Sequence, residues 1–265
     1  MKKRLDVYLA EQGLAPSRQQ AQGIIMSGCV YVNGEQADKP GIRITDDCMV
    51  EVRSNACKYV SRGGLKLEKA LNYFNIDLNG YVCADIGAST GGFTDCMLQN
   101  GAKKVYCVDV GYGQLAWQLR TDSRVVNLER KNIRYLTVED IPEKTDFATV
   151  DVSFISLKLV LPKVYELLGE NGLAVALIKP QFEAGRGEVG KKGVIKDAKT
   201  HLDVVCKVMT FTGELGFKIY GLTHSPVKGP KGNIEYLMYI GKKGEDIHID
   251  AIDVVEFSHS DLLDK

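Results

Sequence analysis

Hydrophobic residues recur at helical spacing early in this chain and alternate as in strands soon after. Leu5, Leu9 and Leu14 with Ala10 predict a first helix closed by Gly13. Ser17 is placed to cap a second helix that carries Ala21, Ile24 and Ile25 and ends near Ser27-Gly28. Val30-Tyr31-Val32 then runs into Asn33-Gly34, a hairpin signal, and Met49-Val50-Glu51-Val52 alternates again. Residues 1–53 therefore form a small α+β module, and 54–62 a linker into Gly63-Gly64. From 63 to 245 the pattern changes to apolar strands separated by helical stretches. The strands are Tyr81–Ala84, Lys104–Val108, Arg124–Asn127, Phe147–Asp151 and Ala174–Lys179, with helices over 156–168 and about 197–214. Phe217–Tyr220 and Glu235–Ile240 follow with no helix between them, which makes one of that pair antiparallel. Such alternation gives an α/β domain, Rossmann-like, with a seven-stranded, mostly parallel sheet covered on both faces. Residues 246–265 read as a C-terminal tail.

Composition adds limits. A chain of 265 residues, 45% apolar and 26% charged, is long enough to bury one large core and a small second one. Apolar runs such as Leu173–Ile178 are far too short to span a bilayer, and Met1-Lys2-Lys3-Arg4 opens no signal-peptide pattern. Seven cysteines without a Cys-x-x-Cys pair read as reduced thiols of a cytoplasmic protein, against a disulfide framework or a zinc site. Net charge is zero, so any nucleic-acid contact must come from a local patch.

The most telling stretch is Asp85-Ile86-Gly87-Ala88-Ser89-Thr90-Gly91-Gly92-Phe93, directly after an apolar strand. A glycine turn between strand and helix is a nucleotide-binding device, because backbone approaches ligand closely there. The spacing is neither that of a P-loop nor Gly-x-Gly-x-x-Gly. A second strand ends at Asp109, where a carboxylate suits the two ribose hydroxyls of an adenosine. Turn, strand and acid together fit S-adenosylmethionine. The candidate cofactor residues are Asp85, Gly87, Ser89, Thr90, Gly91, Gly92, Phe93, Asp109 and Val110.

Strand ends in such a sheet gather chemistry. Asp151 and Lys179 both leave buried strands. Asp151 either faces the site or caps the helix near 156, and Lys179 either faces it or snorkels outward. Lys66 precedes the first strand and Glu235 opens the last.

Two resemblances give these residues a context. Arg4-Leu5-Asp6, Ser17-Arg18-Gln19-Gln20-Ala21 and Gly28-x-Val30-x-Val32-Asn33-Gly34 resemble the S4 RNA-binding fold. That resemblance implies RNA contacts at Arg4, Arg18 and Gln22, with Arg43 a further candidate. Residues 1–62 hold nine Lys/Arg against seven Asp/Glu, so the contacts must cluster on one face. In chain order, Lys66, Asp151, Lys179 and Glu235 are similar to the Lys-Asp-Lys-Glu tetrad of FtsJ-class ribose 2′-O-methyltransferases. With Ser61-Arg62-Gly63-Gly64-Leu65-Lys66-Leu67, Asp151-Val152-Ser153-Phe154-Ile155-Ser156-Leu157, Lys179-Pro180-Gln181-Phe182-Glu183 and Gly232-Asn233-Ile234-Glu235-Tyr236, the whole chain resembles the TlyA family. Its members join an S4 domain to an FtsJ-like domain and are often labelled haemolysins.

The resemblance implies 2′-O-methylation of ribosomal RNA, at cytidine, in ribosomes or their subunits. The few residues before Arg4 favour the large subunit. A base is needed to take the hydroxyl proton, and Lys179 is the candidate; a lysine must be brought down from about 10.4 by roughly 3, about 4 kcal/mol of disfavoured charge. Lys66 would supply the neighbouring cation, while Asp151 and Glu235 would orient the lysines. No metal is required. Amino-directed and cysteine-based methyltransferase motifs are both missing, which favours oxygen as acceptor. The Gly/Lys-rich stretch 185–196, with Arg186, Lys191 and Lys192, is either a connector or, with Arg62, an RNA-contacting surface. Two rivals remain: a membrane-active haemolysin, which the chain supports with no spanning segment, and a non-catalytic assembly factor, which an intact tetrad disfavours.

Overall fold

Two periodicities give two structural units in the computed structural model, which describes residues 2–26, 28–37, 39–52, 58–185, 187–190, 193–229 and 231–263. The first contains β1 (Lys3–Arg4), α1 (Leu5–Glu11), α2 (Arg18–Met26), β2 (Val30–Val32), β3 (Glu35–Ala37), β4 (Arg43–Ile44) and β5 (Val50–Val52). Ser17 caps α2 as expected, its Oγ accepting from Gln20 N at 3.2 Å. Asn33 (φ 52°) and Gly34 (φ 83°) both adopt the left-handed conformation that a two-residue hairpin demands. β2 pairs with β3 and β5, while β1 pairs with β4 so that Arg4 lies opposite Arg43. Leu5, Leu9, Ala21, Ile25 and Val30 fill the small core. Leu14 does not join them; α1 stops at Glu11 and Leu14 is exposed beyond it.

The second unit runs α3 (Gly63–Phe74), β6 (Val82–Ile86), α4 (Gly92–Gln99), β7 (Lys104–Asp109), α5 (Trp117–Arg120), β8 (Val125–Glu129), β9 (Thr145–Val150), α6 (Leu161–Leu167), β10 (Leu168–Ile178), α7 (Pro180–Glu183), α8 (Ala198–Glu214), β11 (Lys218–His224), β12 (Tyr236–Gly241) and α9 (Ala251–Leu263). The sheet order is β11-β12-β10-β9-β6-β7-β8, and β12 alone is antiparallel to its neighbours. Alternation along β6 explains the layers. Val82, Ala84 and Ile86 face a core shared with α6, α8 and α9, while Cys83 faces one shared with α3 and α4.

The expected tail is instead helical. α9 buries Val255 and Leu262 in the sheet's core, and Tyr236 and Ser258 hydroxyls meet at 3.0 Å. Cys83, Cys96 and Cys107 are buried free thiols, whereas Cys29 is disulfide-bonded, so the expectation of seven reduced cysteines fails there. No helix among the described residues is long and apolar enough to cross a membrane.

Candidate active site

The chain turns sharply where β6 ends. Gly87 adopts φ 89°, and a Cβ there would lie 2.4 Å from the Asp151 carbonyl oxygen, so only glycine lets the turn pass the end of β9. Gly91, at φ 92°, leads into α4. Asp109 closes β7 and accepts from Ser89 N and Gly111 N, both at 2.7 Å, which fastens the turn to the neighbouring strand. Each of its oxygens keeps acceptor capacity for a further partner. A cavity of about 370 Å³ lies against this turn, lined by Gly87, Ser89, Thr90, Gly92 and Phe93 and, across it, by Lys66 and Asp151.

Three of the cofactor candidates occupy different positions from the rest. Val110 is 71% exposed. Phe93 borders the cavity but buries its ring in the core under α3. Asp85 is wholly buried, accepting from Thr94 N (3.0 Å), Thr94 Oγ1 (2.6 Å) and Thr149 Oγ1 (2.9 Å). Its carboxylate thus braces the first turn of α4 against β9 from beneath. Burial pushes this carboxyl from 3.8 up to about 6, against the lowering effect of those hydrogen bonds. The folded protein therefore keeps a proton that the unfolded chain has released between about pH 4 and 6. Stability is expected to fall by about 3 kcal/mol as pH rises through that window. Urea midpoints at pH 4, 5 and 6 should show the slope in the native protein and its loss in Asp85→Asn; identical slopes would show that Asp85 is not its source.

The four charged residues do converge. Lys66 faces inward from α3 beside Leu67, Ala70 and Leu71. Its Nζ lies 2.6 Å from Glu235 Oε2 and 3.8 Å from Asp151 Oδ2. Lys179, leaving β10, places Nζ 2.5 Å from Asp151 Oδ1 and 3.1 Å from Ser153 Oγ. Both lysines and Glu235 are buried. Burial alone would lower the Lys66 pKa, but Asp151 and Glu235 outweigh it and raise it above the usual lysine value. Burial works against the Asp151 charge too, yet the two lysines hold its carboxyl below the ordinary range. Strand direction brings Glu235 here: because β12 is antiparallel, Tyr236 pairs with Ile178, and the start of one strand meets the end of the other.

Sequence reasoning missed the supports of this centre. Ser153 touches Lys179 directly. Glu183, buried, accepts from Ser156 Oγ (2.6 Å) and Leu157 N (2.7 Å), anchoring the loop that follows Asp151. Phe154 in that loop sits at φ 63°, is 87% exposed, and lies 5.0 Å from the Phe182 ring. The sequence signals Glu183 only as the last residue of Lys-Pro-Gln-Phe-Glu.

The candidate RNA residues fall into separate groups. Arg4, Arg18 and Gln22 meet on the Asp6 carboxylate, and Arg43 is exposed on the strand beside Arg4. Arg62 borders the cavity and donates to Lys228 O at 3.0 Å. Arg186, Lys191 and Lys192 lie outside the described residues.

The chain is similar to known proteins along its length. Residues 59–242 match the FtsJ-like methyltransferase family, and residues 3–47 match the S4 domain. "Putative rRNA methyltransferase YqxC" of Bacillus subtilis is 50% identical, covering 100% of this chain and 96% of its own. The 16S/23S rRNA (cytidine-2′-O)-methyltransferase TlyA of Mycobacterium tuberculosis is 45% identical, covering 89% of each chain. A solved structure described as "Putative hemolysin from Streptococcus thermophilus" superposes with a TM-score of 0.80 at 45% identity, covering 99% of this chain and 98% of that one. With both halves matched and relatives this similar along nearly its whole length, the chain belongs to the TlyA family, in which an S4 domain precedes an FtsJ-like methyltransferase domain.

Proposed function

We propose that this protein transfers a methyl group from S-adenosylmethionine to the ribose 2′-hydroxyl of a cytidine in ribosomal RNA. The observation that carries the reading is the meeting of Lys66, Asp151, Lys179 and Glu235 beside the glycine-turn cavity. Gly87, Ser89, Thr90, Gly91 and Gly92 with Asp109 would hold the cofactor, through backbone N–H groups and one carboxylate. When bound, S-adenosylmethionine supplies a methyl group on a sulfonium, open to in-line displacement. Lys179, as the free amine, accepts the proton of the attacking hydroxyl at Nζ. Asp151 is shared by both lysines, so it keeps Lys66 as a partner while Lys179 is uncharged. Lys66 stays cationic and stabilises the developing alkoxide. Glu235 fixes Lys66 through Oε2. Its Oε1 is buried against Gly229, with no donor among the described residues. Phe154, exposed beside Phe182, offers a stacking face for the base of a nucleotide drawn out of its helix.

The test is transfer of labelled methyl groups from S-adenosylmethionine to separated ribosomal subunits, followed by alkali-resistance mapping. Label in one resistant ribose of the large-subunit RNA is the expected result. No transfer to either subunit or to free ribosomal RNA would overturn the reading.

A further inference from the structure

Asp6 is fully buried in the first turn of α1, on a module otherwise concerned with surface cations. Its carboxylate accepts from Val7 N (3.0 Å), from Arg4 Nε and Nη2 (both 2.9 Å), from Arg18 Nε (3.0 Å) and from Gln22 Nε2 (2.8 Å). A buried acid needs partners, but one guanidinium would satisfy that need. Here two converge from different elements, β1 and α2, and leave a local surplus of one positive charge. Arg4 commits its Nε–Nη2 edge, and Arg18 only Nε. Among the described residues nothing else accepts from their remaining N–H groups, and the two side chains are 44% and 55% exposed.

A guanidinium is a planar fork of five donors, so fixing one edge also fixes the direction of the others. Arginines held in this way lose less rotamer freedom on meeting a phosphate than free surface arginines do. Arg43, directly across from Arg4 on the paired strand, adds a third cation on the same face.

We propose that Asp6 is a positioning residue that presents Arg4 and Arg18 as a preformed clamp for the phosphodiester backbone of folded RNA. The inference rests on the proposed function, since it supposes that this module docks on ribosomal RNA.

Charge alone and geometry make opposite forecasts for Asp6→Asn. The substitution removes a negative charge from the docking face, so electrostatics without geometry would tighten RNA binding. Loss of the clamp would weaken it. The measurement is binding of the full-length protein to large ribosomal subunits at fixed salt, with KM for subunits and kcat for methyl transfer. Asp6→Asn is expected to weaken binding and raise KM roughly tenfold, with kcat unchanged. In an Arg4→Ala, Arg18→Ala background the same change should have no further effect. Equal or tighter binding, or a loss that persists without the arginines, would overturn the proposal. If Asp6→Asn unfolds the module by circular dichroism, Arg4→Lys with Arg18→Lys decides instead: charge is kept and the fork is lost. Weakened binding then supports the clamp, and native binding rejects it. A wild-type protein that neither binds nor methylates subunits would fail the functional reading itself, an outcome separate from a normal wild type beside an unaffected Asp6→Asn.

Discussion

Replacing Lys179 with alanine is expected to lower the rate of methyl transfer by about 10²–10⁴-fold, the range that one general base contributes. Among the described residues Lys179 reaches only Asp151 and Ser153 within hydrogen-bonding distance, and it leaves the end of a fully buried strand segment. Its removal should therefore leave the proposed cofactor turn intact, and S-adenosylmethionine affinity by calorimetry should stay within about twofold. Lys179→Arg separates base from charge. Arginine keeps the positive charge but does not give up its proton in proteins, so this variant should be as inactive as alanine. Recovery of activity in Lys179→Arg would show that position 179 acts by charge, and the base would have to be sought elsewhere.

The second large effect is on stability. Lys66 and Glu235 form a buried pair at 2.6 Å, with the Glu235 side chain only 1% exposed. Removing one member leaves the other charge without compensation, which costs about 3–5 kcal/mol. Lys66→Met should therefore shift the urea midpoint strongly downward. Replacing both partners with apolar residues, as in Lys66→Met with Glu235→Leu, should restore most of that loss, because a well-packed apolar pair is often as stable as a buried ion pair. Activity should not return with it. A single-variant cost below about 1 kcal/mol would mean that water reaches Glu235, and the pair would then count only as a surface bridge.

Much of this centre is legible in the sequence. Strand ends are readable from apolar runs, and in a parallel sheet those ends share one edge, so Asp151 and Lys179 followed from pattern and topology. Glu235 is different: it directly precedes a strand, and only reversal of β12 brings it to that edge. The missing helix between the last two strands was the clue.

Other features were hidden for physical reasons. By sequence, seven of the nine positions from Asp85 to Phe93 read as ligand contacts. Alternation along β6, however, sends Asp85 into the layer under α3 and α4, and helical spacing turns Phe93 the same way. α9 escaped notice because Ile252 and Phe257 are exposed, which blurs its apolar stripe, and because its polar anchors are remote. Ser258 meets Tyr236, and Asp261 meets His224 at 3.0 Å. In the sequence Asp6 stands out only as part of Arg4-Leu5-Asp6. That an acid in a helix's first turn should be buried by an arginine twelve positions later is a tertiary fact, without local signal.

The position of β12 has a consequence for biosynthesis. This last strand is inserted between β10 and β11, both made earlier, and it is preceded directly by Glu235. A nascent chain that has emerged only as far as β11 has a vacant slot in its sheet and an inward-facing Lys66 whose closest partner, 169 positions away, does not yet exist. Domains tend to fold from the N-terminus as they are synthesised. The N-terminal module can thus be complete well before Lys66 and Glu235 meet.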